Sequence, residues 1–389
     1  MVLLAFAACI PEGALFGRNT SGGRGNDVPG LQDTATESLG DGPSAGFPFD
    51  RDEMYDVSLD LPQSSVDGLV YEGDYVPGTL HVGDLSTEVG VRLKGASTFD
   101  TLDRKPSLKL AFDAFTPGHR FLGFEHMTFN AMKFDPTMLR EAAAYRLFEQ
   151  VGVPASRHGF AWLTINGQDY GVYSIIETLD NEWLDRVFPD DADGNLYDST
   201  FIYADLTGAG VVNFDLQEGD PATAYADLAD LVRALDAGNI LDVINTRFDP
   251  EATLSYLATD LATGNYDGYS RNTNNFLLYH ATVADRWYFV PWGQDTAFRG
   301  AGPLYTAVRG RVAAACKADA ACKDALEDHV RAVFDTWQGE DLYGWTSGMV
   351  QIIGPACEQD PRKNEDCDQE DILEAIQSRP EEILREIGP

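Results

Sequence analysis

Between residues 249 and 291 the chain runs through a capped helix, a polar loop and two strands, and this succession constrains the fold more than any other stretch. Asp249-Pro250 places an N-cap residue and a first-turn proline at the start of a helix. Leu254, Leu257 and Leu261 follow at helical spacing, and Gly264 supplies a stop. The loop Asp267-Gly268-Tyr269-Ser270-Arg271-Asn272-Thr273-Asn274-Asn275 comes next. Phe276-Leu277-Leu278-Tyr279 and Trp287-Tyr288-Phe289-Val290 then read as two strands. A loop so rich in polar side chains, pinned between a helix and a hairpin, is expected to position them.

Asn272 lies five residues beyond Asp267, and Asp295 follows the two strands in Pro291-Trp292-Gly293-Gln294-Asp295. Protein kinases space a catalytic base and metal ligands in a similar way. In such a site one carboxylate accepts the substrate hydroxyl's proton. An amide oxygen and a second carboxylate hold Mg²⁺ on the phosphates, hard oxygen donors being suited to that ion. Asp, Gly and Asn are also ordinary loop residues, so the spacing gains weight only from the rest of the chain.

The 389 residues, 44% of them hydrophobic, suffice for one large or two moderate domains. No apolar run approaches the roughly 18 residues of a membrane-spanning helix. Lys+Arg 28 against Asp+Glu 63 leaves a net charge of −35. That balance argues against a nucleic-acid partner, since phosphate binding needs clustered cations. It suits solubility in salt, or a basic protein substrate.

Four of the five cysteines, Cys316, Cys322, Cys357 and Cys367, fall in the C-terminal quarter. Neither pair has metal-ligand spacing and only His329 lies near, which argues against zinc. Two disulfides in an oxidising compartment fit better, most simply 316–322 and 357–367, with the other two connectivities open. Cys9 follows Leu3-Leu4-Ala5-Phe6-Ala7-Ala8 and resembles a bacterial lipoprotein cleavage site. Phe6 stands where Leu is usual, and no positive segment precedes it. The expectation is an extracytoplasmic, surface-attached protein that touches a membrane only through a lipid on Cys9.

Residues 1–9 are thus read as a lipoprotein signal remnant and 10–48, rich in Gly, Ser, Thr, Asp and Pro, as a disordered linker. Folded sequence follows from residue 49. Alternation marks strands at 55–59, 78–82, 89–93 and 107–112. Asp135-Pro136 opens a helix through Gln150, with Leu139, Ala143, Leu147 and Val151 on one face. Asn166-Gly167 joins a hairpin of 160–165 and 170–176. From Asp220-Pro221 onward the chain reads as mostly helical, closing with an amphipathic segment over 371–387. The layout is α+β, with a sheet-rich N-terminal half at 49–180 and a helix-rich C-terminal half at 181–389.

Lysine is scarce, with seven in the chain, and three of them, Lys94, Lys105 and Lys109, lie close together in the strand region. A phosphate site needs a point cation on a rigid element, and Lys109 on a strand qualifies. Arg92-Leu93-Lys94-Gly95-Ala96-Ser97, Lys105-Pro106-Ser107-Leu108-Lys109, the Asp135 to Arg140 helix start, Asn166-Gly167 with Gly171-Val172-Tyr173 and Glu177, Gly194-Asn195-Leu196-Tyr197, Asp267 to Asn275, and Pro291-Trp292 through Phe298 occur in that order. Together they resemble the CotH (spore coat protein H) kinase family over roughly residues 50–300.

The resemblance implies a divergent protein-kinase-like two-lobe fold and transfer of phosphate from ATP, with Mg²⁺ or Mn²⁺, to protein serine. It implies Asp267 as catalytic base, Asp295 and Asn272 as metal ligands, and Lys109 with Glu177 as the nucleotide-anchoring pair. Lys105 is a second candidate lysine, and Arg92 and Asn275 are further nucleotide contacts. The family usually reads Trp-Asp-x-Asp where this chain has Gly293 in place of the first Asp. That departure keeps a second function in view, a surface adhesion or binding module whose nucleotide site has decayed.

Overall fold

The computed structural model describes residues 46–388, apart from 51, 96–97, 200–203 and 300–301. The expected signal remnant with Cys9, most of the expected linker, and Ala96-Ser97 lie outside the described residues. Phe47 is already buried, edge-on to Tyr55 in the first hydrophobic core.

Seven strands close into a barrel: β1 (Met54–Asp60), β2 (Val76–Val82), β3 (Leu85–Lys94), β4 (Ser107–Ala111), β5 (His126–Asn130), β6 (His158–Ile165) and β7 (Gln168–Glu177). Their order is β1-β2-β3-β4-β5-β7-β6, with β1 parallel to β6 and every other pair antiparallel. A short helix, α1 (Gln63–Gly68), precedes β2. The β6–β7 hairpin turns on Asn166 and Gly167, both at positive φ, as the Asn-Gly pair predicts.

Strand alternation decides the faces. Leu93, Leu108, Phe129 and Ile175 form one cross-strand row in the barrel core. The neighbouring row, Arg92, Lys109, Thr128 and Ile176, therefore lies on the barrel's outer face, where Thr128 and Ile176 are buried. Lys94, two residues beyond Arg92, shares that outer face.

A second sheet, ordered β11-β10-β8-β9, belongs to the C-terminal half: β8 (Asn195–Ser199), β9 (Phe214–Glu218), β10 (Phe276–Ala281) and β11 (Arg286–Pro291). The helices are α2 (Arg140–Gln150) and α3 (Asn181–Val187), then α4 (Ala226–Ala237), α5 (Ile240–Arg247), α6 (Pro250–Ala262) and the one-turn α7 (Tyr269–Asn272). The chain ends in α8 (Arg311–Ala318), α9 (Ala320–Gly339), α10 (Leu342–Gln359) and α11 (Gln369–Ile387). The architecture is mixed α+β with a sheet-rich N-terminal half, as expected. Among the described residues no helix is long and apolar enough to cross a membrane.

α6 carries the anticipated cap: the Asp249 carboxylate accepts from Ala252 N at 2.9 Å, Pro250 follows, and Gly264 sits at positive φ just past the end. α2 starts later than the expected Asp135. The Asp135 carboxylate accepts from Thr137 N at 2.9 Å and Arg140 N at 3.0 Å, and Met138 adopts a positive φ. The local turn thus takes the first residues of the expected helix. Both disulfides form in the simplest pairing, Cys316–Cys322 and Cys357–Cys367.

Candidate functional site

The polar loop after α6 is held from below by Asp260. Its buried carboxylate accepts from Ser270 N at 2.8 Å, and Gly268 is required beside it, because a Cβ there would lie 2.1 Å from Asp260 Oδ1. Asn265 ties the loop to the segment after β11. It donates to Gln294 Oε1 at 3.0 Å and accepts from Thr296 Oγ1, while Trp292 N donates to Asn275 O at 3.1 Å. Asp267 and Asp295 are brought together in this way from opposite ends of a hairpin.

Asp267 is surrounded by amides. Its Oδ1 accepts from Asn272 Nδ2 at 2.6 Å, and its Oδ2 accepts from Asn275 Nδ2 at 2.8 Å and Asn274 Nδ2 at 3.1 Å. These bonds orient each amide and turn its oxygen away from Asp267. Asp295 is half-buried, and its pKa is pushed up to about 6 by burial, with the Asp135 and Asp267 carboxylates adding and Lys94 opposing.

Opposite this loop stands Lys94, at the end of β3. Its ammonium lies 5.0 Å from the Trp292 ring centre, in the field of Glu141, Asp198 and Asp295. Burial lowers its pKa against the pull of those three carboxylates. Glu141 enters from the first turn of α2, accepting from Asn130 Nδ2 at 2.9 Å and Gln294 N at 3.4 Å. Burial, then the Asp295 charge, pushes the Glu141 pKa up to about 7.

Neither Lys94 nor Glu141 was among the expected site residues. The available signals were Lys94 sharing its strand face with Arg92, and a lone carboxylate in the otherwise apolar run Ala142-Ala143-Ala144 at a helix start.

The expected Lys109–Glu177 pair does not form. Lys109 lies in the cross-strand row with Ile176, so Glu177, the next residue, has the opposite facing. The Glu177 carboxylate instead clamps two arginines, with 2.6 Å contacts to Arg157 Nη2 and Arg186 Nη2. Lys105 is instead taken up by a fully buried ion pair with Asp360, 2.6 Å apart.

Lys109 sits half-buried on the outer barrel face, in the field of Asp180 and Glu218, and Arg92 lies 5.0 Å over the Tyr75 ring. Among the described residues the side chains of Arg92, Lys94 and Lys109 make no ion pair or hydrogen bond, their backbones being paired in the sheet. Three cations so placed fit a polyphosphate.

The Asp295 carboxylate and the Asn272 amide oxygen are hard donors of the kind Mg²⁺ or Mn²⁺ takes, while the Asn275 amide oxygen lies against Gly293. The Asp135 and Asp267 carboxylates both add negative charge at Asp295, a field that a bound cation would relieve. Among the described residues the tight cluster of potential ligands lies elsewhere. Asp113, Glu125 and His126 have ligand atoms within 4.8 Å of one another on the barrel, where Arg120 already donates to Glu125 at 3.1 Å.

Inner spore coat protein H of Bacillus subtilis (strain 168) is 24% identical over 241 residues, 59% of this chain and 64% of that protein. An inner spore coat protein H-like protein of the same organism is 44% identical over 56 residues, 14% of this chain and 18% of its own length. The chain thus spans less than two thirds of the length of the curated relatives it matches. Among solved structures, the proinflammatory kinase CtkA of Helicobacter pylori aligns over 72% of this chain and 91% of that chain, at 12% identity and a TM-score of 0.32. The pattern described as CotH kinase protein matches residues 91–343, and the chain belongs to that family.

Proposed function

We propose that this protein transfers the γ-phosphoryl group of ATP to serine side chains of a protein substrate outside the cytoplasm. The observation that carries the proposal is the meeting of Lys94, Glu141 and Asp295 opposite the Asp267 loop. Lys94, with Arg92 and Lys109 on the same face, supplies cations for the phosphates. Glu141 holds its place through Asn130 and Gln294 and sets the field in which Lys94 sits.

Asp267 is assigned the proton of the attacking hydroxyl, and its three amide donors fix the carboxylate's orientation. Asp295 and Asn272 are the residues assigned to Mg²⁺ or Mn²⁺, which when bound offsets the charge of the transferring phosphate, and Asn275 is assigned to the nucleotide. Positioning and charge neutralisation are most of what this reaction asks of a protein. A net charge of −35 favours a basic protein substrate. The two disulfides favour an oxidising compartment.

The test is incubation of the purified chain with labelled ATP and Mg²⁺ or Mn²⁺, followed by phosphosite mapping. Asp267→Ala and Asp295→Ala are each expected to abolish labelling with the fold intact; labelling at the wild-type level in either variant sinks the assignment.

Gly293 favours a second reading, a surface binding module with a decayed nucleotide site. A melting shift with Mg²⁺-ATP separates the two, since a decayed site gives none.

A further inference from the structure

The C-terminal helices return to the barrel through a small ring. Cys357, near the end of α10, is bonded to Cys367, and the residues between them reach across to the N-terminal half. The buried Asp360 carboxylate accepts from Lys105 Nζ at 2.6 Å and Val172 N at 2.9 Å. Gly171, at φ +83, makes room for it: a Cβ there would lie 2.0 Å from Asp360 Cγ.

Arg362 lies 3.7 Å over the Tyr170 ring centre and donates to Leu102 O at 2.8 Å and Arg104 O at 2.6 Å. Directly after Cys367 the chain grips the start of α2. Asp368 N donates to Pro136 O at 3.0 Å, and the Asp371 carboxylate pairs with Arg140, the residue before Glu141. The covalent ring therefore holds the barrel hairpin, and the residues directly after it, Asp368 and Asp371, hold the approach to the helix that carries Glu141.

The two disulfides differ in access. Cys316, Cys322 and Cys357 are fully buried, whereas Cys367 is half-buried. Cys367 is therefore the disulfide cysteine most exposed to an attacking thiolate.

We propose that the Cys357–Cys367 ring is a redox-sensitive strap that holds Glu141 against the 292–297 segment while the disulfide is intact. A dithiol reductant opens it. One thiolate attacks Cys367 Sγ, forming a mixed disulfide and releasing the Cys357 thiolate. The second thiol of the reductant then displaces the Cys367 thiolate, and the reductant leaves as its own disulfide. Two electrons and two protons have passed to the cysteine pair.

Opening the ring restores the chain entropy that the cross-link had removed. Asp360 and Arg362 are then held by their own contacts alone, and the grip on Arg140 loosens with them. The result is local opening around α2, with the helical core intact.

The test uses the full chain. Dithiothreitol is titrated to the point where mass spectrometry after alkylation shows 357–367 reduced and 316–322 intact. Amide hydrogen exchange is then followed. Exchange over 102–106, 136–141 and 168–173 should quicken about tenfold, return on reoxidation, and be fast with or without reductant in Cys357→Ser/Cys367→Ser.

Unchanged exchange in those segments of the reduced wild type overturns the proposal, and so does reduction of 316–322 ahead of 357–367. The wild-type measurement decides even if the double variant fails to fold. A second arm, weakening of Mg²⁺-ATP binding by the same treatment, rests on the function proposed above. If the nucleotide never binds, that function fails while the exchange arm still decides the strap.

Discussion

A Cβ on residue 293 would lie 2.7 Å from Asn275 Oδ1 and 2.8 Å from Asn275 Cγ, and the Gly293 backbone has φ +52. Asn275 thus fills the space beside Gly293 while its Nδ2 donates to Asp267 Oδ2 at 2.8 Å. Loop and hairpin are fitted to a glycine at this position.

Restoring the usual family residue should therefore harm the protein. Gly293→Asp adds a side chain at a left-handed backbone position and displaces Asn275, at a cost of about 1–3 kcal/mol. The expected outcome is a lower melting temperature and a smaller shift with Mg²⁺-ATP. A larger nucleotide shift in Gly293→Asp would mean that a carboxylate is missing there.

Lys94 and Lys105 should answer opposite measurements. Lys105→Met leaves the Asp360 carboxylate buried without its cation and should cost about 3–5 kcal/mol by denaturant unfolding. Lys94→Met removes a cation that makes no ion pair among the described residues, so stability should change by about 1 kcal/mol or less. The nucleotide-induced melting shift should vanish in Lys94→Met. A full shift in that variant would return the anchoring role to Lys109.

Glu177→Gln tests the arginine clamp. The two guanidiniums are 32% and 34% exposed, so water screens part of the loss, and the expected cost is about 2 kcal/mol rather than that of a fully buried pair. The nucleotide-induced shift should persist. Its loss with unchanged stability would reinstate Glu177 as a nucleotide-site residue.

Glu218 gives a pH dependence. Burial, then the Asp180 and Glu182 charges, raises its pKa to about 7, with Lys109 opposing. A carboxyl that titrates higher in the folded chain than in the unfolded one binds more protons when folded. Its contribution to stability is complete below the ordinary carboxyl pKa and is lost as pH rises through about 7. Melting temperature should thus fall between pH 5 and pH 8, and Glu218→Gln should flatten part of that fall. An identical profile in the variant would remove Glu218 as a source of the slope.

Local chemistry made much of this fold legible. Asp249-Pro250 starts α6 because a cap and a first-turn proline act within one turn. Asn166-Gly167 closes its hairpin because only residues tolerant of positive φ fit that turn. The Asp267 loop and Asp295 stood out because a helix and a hairpin of known polarity bracket them. The paired cysteines are near neighbours in the chain, so their simplest connectivity is also the one formed.

Side-chain partners brought from far along the chain were another matter. Alternation places Lys94, Lys109 and Arg92 on one face. It does not say that Trp292 and Asp295 lie opposite Lys94, or that Asp360, 255 residues from Lys105, takes that lysine as its buried partner. Strand parity around the closed barrel separates Glu177 from Lys109, and packing of α2 against the 292–297 segment brings in Glu141. Local interactions act over a few residues and can be read from their order. Which charge meets which depends on barrel closure and on how the two halves pack, and tertiary structure alone decides that.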